Sequence, residues 1–197
     1  MDYHTQCDGY LKYFRTLCQD RDSRWIKRKR VFDTYSMIQS LIDLSVGNES
    51  SYLNVLSRFP GNLTPAASSF WEARSKFSSS LIQEIREDLY DFQSENHERM
   101  DWFGFSPYAF DGSKLNLPTT LSTDGFHINP GDYFSTGLLS GLVRITDRAI
   151  ASLELSSDQN ERTAAHRMLD LLTDRDLVVY DRGYLSFSLV TDHIQKG

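Results

Sequence analysis

Leu177-Val178-Val179-Tyr180-Asp181 is a short, apolar, β-branched run that stops on an acid, and such a run reads as a buried strand. Tyr108-Ala109-Phe110-Asp111-Gly112 reads the same way, as a strand ending on Asp111, which lies 70 residues before Asp181. Between them, residues 118–134 are rich in turn formers and read as a loop of above-average length, which in a compact domain usually serves function. Leu138 to Ile145 and Ala149 to Leu155 are apolar, β-leaning runs separated by Thr146-Asp147-Arg148, so a β-hairpin is expected there. A helix then follows, with Asn160 as its N-cap and Ala164, Ala165, Met168, Leu169, Leu171 and Leu172 as its apolar stripe.

Upstream the pattern is helical. Val31, Phe32, Tyr35, Ile38, Leu41 and Ile42 recur at three- and four-residue steps, which predicts one face of an amphipathic helix over Val31 to Leu44. Gly47-Asn48 stops it, and a shorter helical piece carrying Tyr52, Leu53, Val55 and Leu56 precedes the break at Pro60-Gly61. Thr64-Pro65 then opens a helix running to about Phe92, with Thr as N-cap and Pro at the first helical position. Trp71, Phe77, Ile82 and Ile85 follow helical spacing and read as core. Short helices with tight breaks suit a helix-turn-helix-like DNA reader and equally a small bundle. The character changes near Trp102-Phe103-Gly104-Phe105, which sets two domains: helical 1–100, a candidate DNA-binding domain, and mixed 101–197. The fold class expected is α+β overall.

The 197 residues, 40% of them hydrophobic, are enough to bury a core. No run approaches the roughly 18 apolar residues of a membrane span, and the N-terminus lacks the pattern of a signal peptide, so a cytoplasmic protein without a membrane partner is expected. Cys7 and Cys18 have no second pair or matched histidines for zinc and read as reduced structural thiols. The net charge is −6, which argues against a protein that simply coats nucleic acid. Residues 1–100 carry 13 basic and 14 acidic side chains and 101–197 carry 8 and 13, so the halves contribute −1 and −5. Within the first half, Arg21, Arg24, Lys27, Arg28, Lys29 and Arg30 fall inside ten residues with Asp22 as the only acid. That cluster suits phosphate contact or a solvated helix face; Arg74 and Lys76 are further DNA-contact candidates.

The order strand with terminal Asp, hairpin, helix, strand with terminal Asp is that of a ribonuclease H-like α/β sheet, in which the first and fourth strands are neighbours. Asp111 and Asp181 would then meet at one sheet edge, and converging carboxylates suit Mg²⁺ or Mn²⁺. A pair of such ions can activate a water or a 3′-hydroxyl and stabilise the leaving oxygen in phosphodiester transfer. The alternative is a turn role for Asp111 before Gly112 and a plain strand-end role for Asp181 before Arg182-Gly183. Arg182 and Tyr184 either touch substrate phosphate or pack beneath the site. His127 and His166 lack a partner at ligand spacing and read as ordinary histidines.

Phe110-Asp111-Gly112-Ser113-Lys114-Leu115-Asn116-Leu117-Pro118 resembles the first catalytic-aspartate motif of bacterial insertion-sequence DDE transposases, in the branch with a large β insertion before its Glu. Asn160-Glu161-Arg162 opening a helix, followed by Leu177 to Ser186, resembles the second-aspartate block of that branch. The resemblance is strong over 108–190 and looser over the helical residues 28–92. It implies that Asp111 and Asp181 bind the divalent metals, and that the N-terminal helices recognise double-stranded DNA at element ends, as a homodimer or together with a full-length transposase. The family continues through a β domain to a helix carrying Tyr, Arg, Glu and Lys. This chain ends at Gly197, so an incomplete catalytic core lacking the third carboxylate is expected, with the outer edge of the fourth strand uncovered. Two functions follow as expectations: a metal-dependent transposase fragment, or an inactive DNA- or transposase-binding remnant acting as inhibitor. An unrelated α/β protein with Asp-ended strands is the remaining alternative.

Overall fold

The computed structural model describes residues 3–25, 32–46, 56, 65–96 and 101–196. The chain divides into two compact units, Met1–Leu89 and Tyr90–Gly197. The division falls inside one helix.

In the first unit, α1 spans Tyr3–Trp25, α2 Thr34–Val46 and α3 Ala67–Ser75, and α4 (Ser79–Asn96) contributes its first residues. Helix α2 begins at Thr34 because Asp33 caps it: the Asp33 carboxylate accepts from Ser36 N at 2.7 Å while Ser36 Oγ accepts from Asp33 N at 3.0 Å, a reciprocal capping box. The hydrophobic spacing alone placed this start at Val31, which lies outside the described residues, as do Tyr52, Leu53, Val55 and Thr64. Helix α3 starts at Ala67, later than the Thr64-Pro65 signal implied, with Ala66 extended at the cap. A turn at Lys76 to Ser78 divides what the periodicity read as one helix. Phe32, Met37, Leu56 and Phe70 form the buried core, with the Phe32 and Phe70 rings edge-on at 5.7 Å. Ile85 is buried, but Trp71 and Ile82 are exposed and do not join that core. Arg21 donates to Glu84 at 2.6 Å and to Asp88 at 3.1 Å, tying α1 to α4. Cys18 is a fully buried free thiol, and burial, then the charges of Asp22 and Asp33, push its pKa up to about 12.

The second unit is a mixed four-stranded sheet in the order β3-β2-β1-β4, with β1 Ser106–Leu117, β2 Ser135–Arg144, β3 Ile150–Ser156 and β4 Asp176–Tyr180. The expected hairpin is present as β2 and β3. Asn160 caps α5 (Glu161–Met168), its side chain accepting from Arg162 N at 3.0 Å and Thr163 N at 3.4 Å. Helix α6 spans Phe187–Lys196. Strand alternation sends Tyr108 and Phe110 of β1 and Leu138 and Leu142 of β2 to one face, where they pack with Ala164, Ala165, Met168, Tyr184 and Leu189. Within residues 118–134 a short 3₁₀ helix, Thr119–Asp124, ends on Gly125 at φ 92°, a left-handed position suited to glycine.

One end of this core carries a buried charge. Arg144, 6% exposed, makes a two-pronged pair with Asp147 at 2.9 and 2.6 Å, donates to Ser94 Oγ at 3.1 Å, and lies 5.0 Å from the centre of the Tyr90 ring. The Asp147 hydrogen bond is the main cause of the raised Arg144 pKa. Removing one partner leaves the other charge buried and alone, so Asp147→Ala should cost about 3 kcal/mol. Urea unfolding followed in the second unit checks this; a loss under about 1 kcal/mol would show that the pair is not the anchor of that end.

Candidate functional site

Strands β1 and β4 run parallel, and their last pair is Phe110 with Tyr180. Asp111 and Asp181 are the next residue on each strand, so the two acids stand side by side where the parallel ladder stops. Asp111 does not end its strand: β1 continues to Leu117 against β2, with Asp111 opposite Gly141. The Asp-Gly turn signal is overridden by this long antiparallel partner. Asp111 therefore has a strand on its β2 side only. Its carboxylate is exposed and makes no hydrogen bond or ion pair among the described residues. Asp181 caps the 3₁₀ turn Arg182–Tyr184, its Oδ1 accepting from Arg182 N, and forms no ion pair among the described residues.

That turn drops Tyr184 into the core at 2% exposure, edge-on to Phe110 at 5.4 Å and 5.8 Å from the Tyr180 ring. Of the two roles open to Tyr184, the structure gives it the packing position beneath the acids. Its hydroxyl points at Gly112, where an added Cβ would meet Tyr184 Oη at 3.2 Å, Leu138 Cδ1 at 3.2 Å and Glu161 Cγ at 3.3 Å. Only a residue without a Cβ lets these three groups close on the strand. Glu161 and the Gly112 backbone lie beside the hydroxyl, but neither completes a hydrogen bond by distance and angle, and Tyr184 Oη is buried without a partner. Burial, then the charges of Glu161 and Asp111, raise its pKa to about 12.

Glu161 is the residue that sequence reasoning passed over as a helix opening. It is the first residue of α5, held by the Asn160 cap on one side and on the other by Arg162, whose guanidinium donates to Gly183 O at 3.0 and 3.3 Å. Fifty residues separate Glu161 from Asp111 in the chain, a spacing that carries no local signal. Arg182 is exposed beside Asp181. In the first unit, Arg24 pairs with Asp20 at 2.5 Å, Arg74 lies over the Trp71 ring at 5.2 Å and Lys76 pairs with Glu72. Lys27, Arg28, Lys29 and Arg30 lie outside the described residues.

A second polar array joins α5 to α6. His166 Nδ1 lies 2.5 Å from Asp192 Oδ2 and its Nε2 3.3 Å from Ser188 Oγ. The order is that of a nucleophile, base and acid, but nucleophilic catalysis also needs donors for an oxyanion, and these groups lie on the outer surface of two packed helices. They act as a helix-to-helix fastening, as does the neighbouring bond between Tyr180 Oη and His193 Nε2 at 2.9 Å.

Compared with protein-family models, curated proteins and solved structures, the chain matches none. The chemistry of the site must be read from its own atoms. Among the described residues, no three histidine, cysteine or carboxylate side chains are already gathered as a metal-binding group. The donor set nevertheless fits a hard divalent cation: two adjacent strand-end carboxylates without cationic partners, over an orphaned buried hydroxyl.

Two outcomes follow. Tyr184→Phe removes a hydroxyl that has no partner, so stability without metal should stay level or rise by up to about 1 kcal/mol, whereas Gly112→Ala should cost about 1–3 kcal/mol through crowding; thermal unfolding of both variants tests the packing, and a large loss in Tyr184→Phe would contradict it. Tyr180 and Tyr184 both have pKa values raised by burial from 10.0 to about 12. A raised folded pKa means that their contribution is complete below pH 10 and lost as pH climbs towards 12, which an alkaline spectrophotometric titration of folded protein would register as two late-ionising tyrosines.

Proposed function

We propose that this chain supplies the sheet and the first two metal-binding carboxylates of a DDE-type transposase core, of ribonuclease H-like strand order, that cuts and joins DNA by phosphodiester transfer. The observation that carries the proposal is the parallel β1–β4 ladder ending one residue short of both Asp111 and Asp181. Parallel strands bring their carboxyl ends to one edge, where α/β sheets place their ligands. The order β3-β2-β1-β4, with the hairpin and α5 between the two acids, supports it further.

In this reading Asp111 and Asp181 hold Mg²⁺ or Mn²⁺. The bound ion lowers the pKa of a coordinated water or hydroxyl and neutralises charge on the phosphate. Asp181 is fixed for binding by its cap to Arg182 N, which leaves Oδ2 without a protein partner. Arg182, exposed next to it, neutralises an approaching backbone phosphate. Tyr184, Phe110 and Tyr180 form the aromatic floor that keeps the two strand ends at one level. The partner is double-stranded DNA, gripped in part by basic side chains of the first unit, which include Arg24, Arg74 and Lys76. Among the described residues no helix is long and apolar enough to cross a membrane.

The test is nicking of supercoiled plasmid by the purified chain in Mn²⁺ and in Mg²⁺. Metal-dependent relaxation that falls by about 100-fold or more in both Asp111→Asn and Asp181→Asn is expected. Absence of nicking, or nicking that survives either substitution, would contradict the proposal.

A further inference from the structure

Every DDE-type site needs more carboxylate than two strand ends provide, and the structure carries a further acid at the same place. Glu161 opens α5 with its Cγ 3.3 Å from the point where a Gly112 Cβ would stand, one residue along β1 from Asp111. Both neighbours of Glu161 are fastened: Asn160 caps the helix, and Arg162 grips Gly183 O, two residues after Asp181. Glu161 itself makes no hydrogen bond or ion pair among the described residues. Elsewhere in this unit acids are paired: Asp147 with Arg144, Glu154 with Arg167, Asp192 with His166 and Asp170 with Lys196. Asp111, Asp181 and Glu161 are left uncompensated.

The second observation is Tyr184. Its hydroxyl is 2% exposed, lies between Gly112 and Glu161, and has no partner. A buried hydroxyl left open in this way costs stability and marks a place where a further polar group belongs. Strand alternation puts the Asp111 side chain on the face of β1 opposite Phe110 and Gly112, while Glu161 and Tyr184 come from the helix-packed face. The two approaches meet at the β4 edge of β1, which is unpaired beyond Phe110.

We propose that Glu161 is the third carboxylate of this centre, binding the same divalent cation as Asp111 and Asp181, with Tyr184 Oη oriented on its carboxylate. The inference rests on the metal-binding reading of Asp111 and Asp181. It supplies the third acid from the helix between β3 and β4, within the sheet unit itself. Glutamate suits the task because its torsions let the carboxylate turn from the cleft at Gly112 towards the open strand edge. Oxygen ligands from two strand ends and a helix start match the needs of Mg²⁺ or Mn²⁺.

The competing role is structural, since a carboxylate in a first helical turn interacts favourably with the helix dipole. Titration of the full chain with Mn²⁺, read by electron paramagnetic resonance and calorimetry, separates the two. Wild type should bind, Asp111→Asn should lose binding, and Glu161→Gln should bind about 10- to 100-fold more weakly. Glu154→Gln, whose acid pairs with Arg167, should bind as wild type. Circular dichroism and the melting temperature establish that each variant is folded. If Glu161→Gln binds Mn²⁺ as wild type does while Asp111→Asn does not, Glu161 is a helix-start residue only and the inference fails, with the two-aspartate reading intact. If wild type binds no Mn²⁺, the metal-binding reading fails and this inference with it.

Discussion

Parallel backbone pairing between Ser106–Phe110 and Asp176–Tyr180 is the constraint on which the second unit depends. Parallel neighbours cannot be joined by a tight turn and need a crossover, and α5 lies in that crossover, packed through Ala164, Ala165 and Met168 on the sheet. The same pairing determines where the acids lie. Had β4 run antiparallel to β1, residues at their carboxyl ends would lie at opposite edges of the sheet. Because it runs parallel, Asp111 and Asp181 share one edge.

The two ends of β1 handle charge in opposite ways. At the start of the strand, opposite Tyr108, Arg144 is buried but satisfied by Asp147, Ser94 and the Tyr90 ring. Tyr108 adds a hydrogen bond to Tyr90 at 2.9 Å. Further along, Asp111 and Asp181 have no cation beside them, and Glu161 joins them from the helix. Like charges placed together without compensation destabilise the fold by themselves. A protein that seals its other buried charge this thoroughly, yet leaves these acids open above an unpartnered Tyr184 hydroxyl, has stability to recover by binding a cation there.

Much of the second unit was legible in the chain. Leu177 to Tyr180 is short and β-branched, the hairpin runs flank Thr146-Asp147-Arg148, and Asn160 is a strong cap, so local chemistry agreed with tertiary structure at each. Asp111 was placed at a strand end because Asp-Gly signals a turn, whereas the partner that extends β1 to Leu117 is a strand more than 20 residues away, which no local window contains. Glu161 could be read as the opening of a helix but not as a neighbour of Gly112, since that contact exists only once α5 folds back over β1. Helix α6 follows a dense run of serines and aromatics, Tyr184 to Ser188, that masks its start. In the first unit, Trp71 and Ile82 keep helical spacing but face outwards, because periodicity identifies a stripe without saying what covers it.

Anomalous diffraction from crystals grown with Mn²⁺ would test the centre most directly, because it locates the ion without reference to activity. A manganese peak within ligand distance of both the Asp111 and Asp181 carboxylates is the expected result. Manganese bound elsewhere, with Asp111 and Asp181 left to solvent, would contradict a metal centre at the end of the β1–β4 ladder.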